Sequence, residues 1–220
     1  MNRRAGFTLI ELVIVVAVIA ILATVAIVGA RAAGRNANLS SAAHGLAIQI
    51  PFLRSSAMSE GRDYLLVFVD APGSDASQCG WFASAACSKY FVLAAPTAAW
   101  SLAAFDQNAP GTNADFVSRE VMPKGVHLDV ASSFVPPAPF GGVVVHDADL
   151  IAPCAGSPSC FAIRFTQRGE VRPEYAGGLR PRKVGYAFVL GTDVRAETNA
   201  ADRRGILVSF PGGIVKANAF

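Results

Sequence analysis

Hydrophobic and polar positions along this chain follow two regimes. From Phe7 to Val28 all 22 positions are apolar except Thr8, Glu11 and Thr24, a density that predicts a helix apolar on every face. As a helix the run is ~33 Å long, enough to cross a hydrocarbon core of ~30 Å. Beyond it the pattern becomes one-sided. Leu39, Ala43, Leu46, Ile50, Leu53 and Ala57 recur at steps of four and three, while Arg35, Asn38, Ser41, Gln49 and Ser56 fall largely off that line. Such spacing sets one apolar stripe along a helix that has a face to bury. Gly29, Gly34 and Gly45 weaken this helix locally, Pro51 is expected to bend it, and Gly61 is expected to stop it. From Phe7 to Ser59 it would span ~80 Å, far more than a globular domain requires.

After Gly61 the code switches to short apolar runs between turn residues. Strands are predicted at Tyr64–Val69, Tyr90–Ala94, Phe116–Val121, Val126–Val130, Val143–His146, Phe161–Thr166, Val184–Leu190, Ile206–Phe210 and Ile214–Ala217. Pro72-Gly73, Pro136-Pro137, Gly141-Gly142, Gly177-Gly178 and Gly212-Gly213 mark joints between them, and this density of short strands points to antiparallel sheets. Ile163-Arg164-Phe165 leading to Gly169-Glu170-Val171-Arg172 echoes Val208-Ser209-Phe210 leading to Gly213-Ile214-Val215-Lys216. Each reads as a hairpin turning on glycine.

Composition narrows the class. At 220 residues, 52% hydrophobic and 16% charged, with a mean hydropathy of +0.40, the chain is neither disordered nor collagen-like. Its 19 Lys+Arg against 16 Asp+Glu leave +3, which gives no basic footprint for nucleic acid. Arg3 and Arg4 stand just before the apolar run, so the positive-inside tendency keeps the amino end cytoplasmic and sends the rest outward. No second run of 18 apolar residues follows Val28, so one span and an exported C-terminal domain are expected. A cleaved secretory signal ending near Ala30-Arg31-Ala32 is the plain alternative, and the residues after Arg3-Arg4 fit a twin-arginine signal poorly. Against the secretory signal, the run is longer than a signal core, and Glu11 sits near its start, where insertion of an ionised carboxylate costs ~2.5–3.5 kcal/mol. Thr8-Leu9-Ile10-Glu11 also fits a capping box that opens a helix.

Gly6-Phe7-Thr8-Leu9-Ile10-Glu11-Leu12, followed by an unbroken apolar helix, resembles the class III leader of type IV pilins and type II secretion pseudopilins. The resemblance implies that a prepilin peptidase cuts between Gly6 and Phe7 and methylates the new terminus at Phe7. It implies that Glu11, now the fifth residue, pairs in the membrane with the Phe7 amine of a neighbouring subunit. It also implies four segments: residues 1–6 a leader, 7–30 a transmembrane helix, 31–60 the periplasmic half of that helix, and 61–220 a periplasmic β-rich domain. Further along, Leu53-Arg54-Ser55-Ser56-Ala57, Arg62, the F-x(3)-G and F-x(2)-G hairpins at Phe165 and Phe210, and Arg203-Arg204-Gly205-Ile206-Leu207-Val208 resemble the GspH/FimT family of minor pseudopilins and minor pilins. The implied fold is α+β, a long N-terminal helix packed on an antiparallel β-sheet domain of two sheets. The implied function is that of a minor pseudopilin, anchored in the bacterial inner membrane and assembled into a short periplasmic pseudopilus that drives protein export. The alternative within the same build is a minor type IV pilin acting in pilus priming or DNA uptake. Partners would be prepilin peptidase, other pseudopilins or pilins and the inner-membrane assembly platform, with secreted substrates as candidate contacts. Residues 72–139 are not accounted for by the resemblance.

Cys79, Cys87, Cys154 and Cys160 form an even set in an exported domain, which favours disulfides. Of three connectivities, the local one (Cys79 with Cys87, Cys154 with Cys160) is chosen because each pair brackets a loop rich in small residues, and closing so short a loop contributes ~2–3 kcal/mol. Zinc is set aside, since these spacings lack the C-x(2)-C knuckle. Major pilins commonly staple a loop near the C-terminus, and the long stretch after Cys160 departs from that pattern. His44, His127 and His146 are scattered and show no H-E-x-x-H arrangement, and no G-x-S-x-G elbow is present. No catalytic residue, metal or cofactor is therefore assigned, and no enzymatic role is expected. Arg164, Arg168, Arg172, Arg180, Arg182, Lys183, Arg195, Arg203, Arg204 and Lys216 cluster toward the C-terminus, interleaved with Glu170, Glu174, Asp193, Glu197 and Asp202. That mixture reads as a solvated surface, and DNA is not expected as a partner.

Overall fold

The computed structural model describes residues 9–70, 88–123, 126–128, 152–154, 157–174, 185–191, 203–209 and 215–219. It comprises two units, Met1–Ala37 and Asn38–Phe220. The first described element is one continuous α-helix, α1, Leu9–Glu60.

Within the first unit α1 carries thirteen large aliphatic side chains between Leu9 and Ile27, all with about half or more of their surface exposed. Leaving them in water forgoes on the order of 20 kcal/mol of burial, at ~1.5–3 kcal/mol for each fully buried side chain. This stretch, Leu9–Ile27, is long and apolar enough to cross a membrane, and it lies near the N-terminus, as a single-pass anchor does.

In the second unit α1 behaves as an ordinary amphipathic helix. Leu39, Ala43, Leu46, Ile50, Leu53 and Ala57 are all buried, as the four-and-three spacing predicts. Pro51 does not end the helix, which runs through it to Glu60. The lost hydrogen bond is tolerable because Pro51 lies on the exposed side, where water can take the freed carbonyl. Gly61 follows with φ +65°, the left-handed step that ends a helix without cost to a residue lacking Cβ.

The strands are β1 (Tyr64–Asp70), β2 (Lys89–Ala94), β3 (Asp115–Val121), β4 (His127–Leu128), β5 (Ala152–Cys154), β6 (Ser157–Phe165), β7 (Val171–Glu174), β8 (Gly185–Gly191), β9 (Arg203–Ser209) and β10 (Val215–Ala219). All pairings among them are antiparallel. One sheet runs β3-β2-β1-β6-β5, with β7 also pairing to β6; the other runs β10-β9-β8-β4. The fold is thus α+β, a helix on two antiparallel sheets. Of the predicted strands, Val126–Val130 is described over 126–128 and is strand over His127–Leu128, and Val143–His146 lies outside the described residues. The strand predicted at Phe161–Thr166 begins earlier, at Ser157, and β5 and a 3₁₀ turn at Leu102–Ala104 were not foreseen.

Why the helix binds this sheet follows from β1. Its alternate residues Tyr64, Leu66 and Phe68 join the α1 stripe, together with Val92, Phe161, Ile163, Phe165 and, from the second sheet, Ile206 and Val208. Leu65, Val67 and Val69 point the other way into a second cluster with Phe91, Leu93, Trp100, Leu102, Phe105, Cys154 and Cys160. A strand covered on both faces has no use for alternation, and so β1 reads as an unbroken apolar run. Cys154 and Cys160 are disulfide-bonded across the β5–β6 hairpin, with Cα atoms 5.9 Å apart. Cys79 and Cys87 lie outside the described residues.

Candidate assembly site and the clasp at the helix end

Two polar side chains of the described span test what an apolar helix can accommodate. Thr24 donates its hydroxyl to the carbonyl of Ile21, one turn back, at 2.7 Å, so its polarity is met by the helix itself. Glu11 lies in the first described turn, exposed among bare aliphatic side chains. A carboxylate there benefits from the positive end of the helix dipole. In hydrocarbon it still demands a cation or several donors to remain ionised. Gly6, Phe7 and Thr8 lie outside the described residues.

In the second unit a set of residues singled out in the sequence converges on the end of α1. Arg54 donates from Nε to the carbonyl of Gly169 at 2.8 Å. Gly169 closes the β6–β7 turn with φ +77°, held by Gly169 N–H to the Thr166 carbonyl and Thr166 N–H to the Glu170 carbonyl, each 2.8 Å. A Cβ on Gly169 would stand 2.5 Å from Met58 Sδ. The backbone angle favours glycine, and a Cβ would in addition require the half-exposed Met58 side chain to shift. Phe165, which begins the F-x(3)-G run, is fully buried beneath the turn.

Asp63, just past the helix, ties the same hairpin from the other side. Its carboxylate accepts the Gln167 N–H at 3.0 Å and Arg164 Nη1 at 3.3 Å, and Arg164 Nε also binds Glu174. Arg172 pairs with Glu170. Beside them Glu60, Arg62 and Tyr64 form a closed triangle: Arg62 Nε to Glu60 at 2.7 Å, Arg62 Nη2 to the Tyr64 oxygen at 3.0 Å, and the Tyr64 hydroxyl to Glu60 at 2.8 Å. The Tyr64 hydroxyl first, and the Arg62 guanidinium second, hold the Glu60 carboxyl below its ordinary value. Burial, then the hydrogen bond with Glu60, pushes the Tyr64 hydroxyl up.

These contacts redistribute the basic cluster read from sequence. Arg164 and Arg172 are committed to carboxylates, and Arg168 is exposed. Arg203, Arg204 and Lys216 sit on β9 and β10, and Arg180, Arg182, Lys183 and Arg195 lie outside the described residues. His44 is exposed on α1, and among the described residues no group of three metal-ligating side chains comes together. Sequence reasoning named Arg54, Arg62 and the glycine hairpin, and Glu174 only as a surface acid, but missed Glu60 and Asp63, which hold Arg62 and the hairpin. The only linear signal was at Arg62, which stands between Glu60 and Asp63.

The chain thus joins one N-terminal apolar helix, consistent with a single-pass membrane anchor, to an α+β fold: residues 1–27 match the family model described as the prokaryotic N-terminal methylation motif, and the remaining 28–220 lie beyond that match. No curated protein sequence matches the chain. Among solved structures it is similar to the minor pseudopilin EpsH from the type 2 secretion system of Vibrio cholerae, at 8% identity and a TM-score of 0.39, over 83% of this chain and 97% of that one.

Proposed function

We propose that this chain is a minor pseudopilin of a type II secretion system. Prepilin peptidase removes residues 1–6, cutting between Gly6 and Phe7, and methylates Phe7. The helix over 7–30 holds the protein in the inner membrane with its amino end cytoplasmic, residues 31–60 continue it into the periplasm, and residues 61–220 form the periplasmic domain. Assembly into a short pseudopilus then proceeds through α1, with the Glu11 carboxylate meeting the Phe7 amine of a neighbouring subunit. The pair satisfies a charge that lipid cannot, and it forms only at one axial offset, so the acid acts as a register mark. The role is structural: the protein is moved by an assembly platform and catalyses nothing.

The observation that carries this reading is a carboxylate at Glu11 among exposed aliphatic side chains of an apolar helix, within residues that match the N-terminal methylation motif. Co-expression with prepilin peptidase tests it. Mass spectrometry should find a chain shortened by the six residues Met1 to Gly6 and N-methylated on Phe7. A full-length product, or one beginning just past Ala32, rejects it.

A further inference from the structure

Strand β3 ends its sheet: among the described residues it pairs only with β2. Its residues are mostly exposed, Phe116 and Val117 by about half, which is unusual because edge strands are commonly guarded by charge or proline. The register shifts between Val92 and Leu93 and leaves Val117 as the extra residue, so Phe116, Arg119 and Val121 stand opposite Leu93, Phe91 and Lys89 on one face. The acids of the strand, Asp115 and Glu120, stand opposite Ala94 and Tyr90 on the other face, and Asp115 lies 3.8 Å from Arg62.

On the Arg119 face a groove of about 570 Å³ opens between β3 and the turn before it, bounded by Phe91, Phe116, Gln107, Asn108, Pro110 and Arg119. The acid nearest its rim in sequence, Asp106, accepts the Asn108 N–H. Lys89 lies beside Arg119 with only 7% of its surface exposed. Among the described residues neither Lys89 nor Arg119 has a carboxylate partner. Burial first, and the Arg119 charge second, hold the Lys89 ammonium below its ordinary range.

A ladder of backbone donors and acceptors that pairs on one side only among the described residues, an aromatic slot beside alternate strand positions, and two cations without a carboxylate among those same residues are together the requirements for adding a strand. We propose that β3 takes an extended acidic segment of another protein as an extra strand, with an apolar side chain between Phe91 and Phe116 and carboxylates on Arg119 and Lys89. A nucleic acid strand is disfavoured because two cations give few phosphate contacts and bases have no use for the peptide ladder. A second copy is disfavoured because it would bring its own Arg119 and Lys89 to a face with nothing to neutralise them.

The test uses the full chain in detergent micelles and a fluorescein-labelled peptide in which glutamates alternate with valines around one phenylalanine, read by anisotropy against empty micelles. Binding should be at least about tenfold tighter than for the lysine counterpart, and about tenfold weaker with Arg119→Glu. It should weaken similarly when alternate peptide amides are N-methylated, a change that leaves the protein untouched. The assignment is overturned by no binding below about 1 mM, by equal binding of the N-methylated peptide, by displacement with a short oligothymidylate, or by sedimentation showing self-association that Arg119→Glu dissolves.

Discussion

The two halves of α1 are made of similar residues and meet their surroundings in opposite ways. Between Leu9 and Ile27 the aliphatic side chains cover every face and none is buried within the chain; from Leu39 to Ala57 one stripe is buried almost completely while the other side stays wet. In the second half the solvent that an apolar residue avoids is excluded by β1, β6 and the second sheet. In the first half it must be excluded by lipid or by other helices. Polar groups follow the same division. Thr24 is satisfied by its own helix, and Arg54 by a carbonyl of the hairpin it holds down. Glu11 is a carboxylate set among exposed aliphatic side chains, where hydrocarbon offers no donors, and under the proposed function that makes it a residue for assembly where Arg54 is one for folding.

The largest effect expected is therefore one that leaves the folded domain intact. Glu11→Val removes the only carboxylate of the span, and incorporation into filaments should fall by an order of magnitude or more, as loss of about 1.4 kcal/mol per tenfold implies. Membrane insertion and the thermal melt of the domain should not change. Cysteine cross-linking between adjacent subunits reads incorporation directly. Wild-type levels of cross-linked filament in the variant would mean that Glu11 only caps its helix, and the contrast between the two halves would lose its functional content.

Next in size is a paired substitution along the helix. Leu46→Ala empties a fully enclosed site and should cost ~2–5 kcal/mol, whereas Ile19→Ala should leave the denaturation midpoint of the domain within about 0.5 kcal/mol. Urea titration of the full chain in detergent measures both. Equal costs would show that the first half is part of the folding unit after all.

This split was legible from residue order alone because two different periodicities encode it. The stripe from Leu39 to Ala57 and the run from Phe7 to Val28 need no tertiary knowledge, and Gly61 announces its turn by being glycine. The strand at Tyr64–Val69 was read from its apolar run, but its burial on both faces became visible only in the packing. β5 was not legible, since Ala152-Pro153-Cys154 has a proline at its centre and pairs only because the Cys154–Cys160 hairpin brings it to β6. The continuation of α1 through Pro51 was legible, because the apolar stripe runs on past it to Ala57. For the candidate sites, Gly6, Phe7 and Glu11 were named from a resemblance to a leader, while Arg54 and Gly169 came together only in space, across 115 positions of sequence.

That clasp allows a sharper, smaller test. Gly169→Ala should cost ~1–3 kcal/mol, from the positive φ and from the Met58 contact combined. Adding Met58→Ala should recover only the contact part, because relief of crowding cannot change the backbone angle. If Met58→Ala restored wild-type stability in full, the left-handed turn would contribute nothing and the hairpin would be held by packing alone.

The smallest expected effect lies in the surface triangle next to the clasp. The Glu60 carboxyl is held below its ordinary 4.5 chiefly by the Tyr64 hydroxyl and next by Arg62. A carboxyl depressed in the folded state contributes stability above its unfolded value and loses it as pH falls through the folded one. The window is therefore acidic, from 4.5 downward, and the contribution is strongly screened because Glu60 is exposed. Carbon NMR of the carboxyl should show the midpoint rising toward 4.5 with Tyr64→Phe, and rising less with Arg62→Ala. An unchanged midpoint in Tyr64→Phe would break the triangle, and a larger rise in Arg62→Ala would make the ion pair, not the phenol, its principal bond.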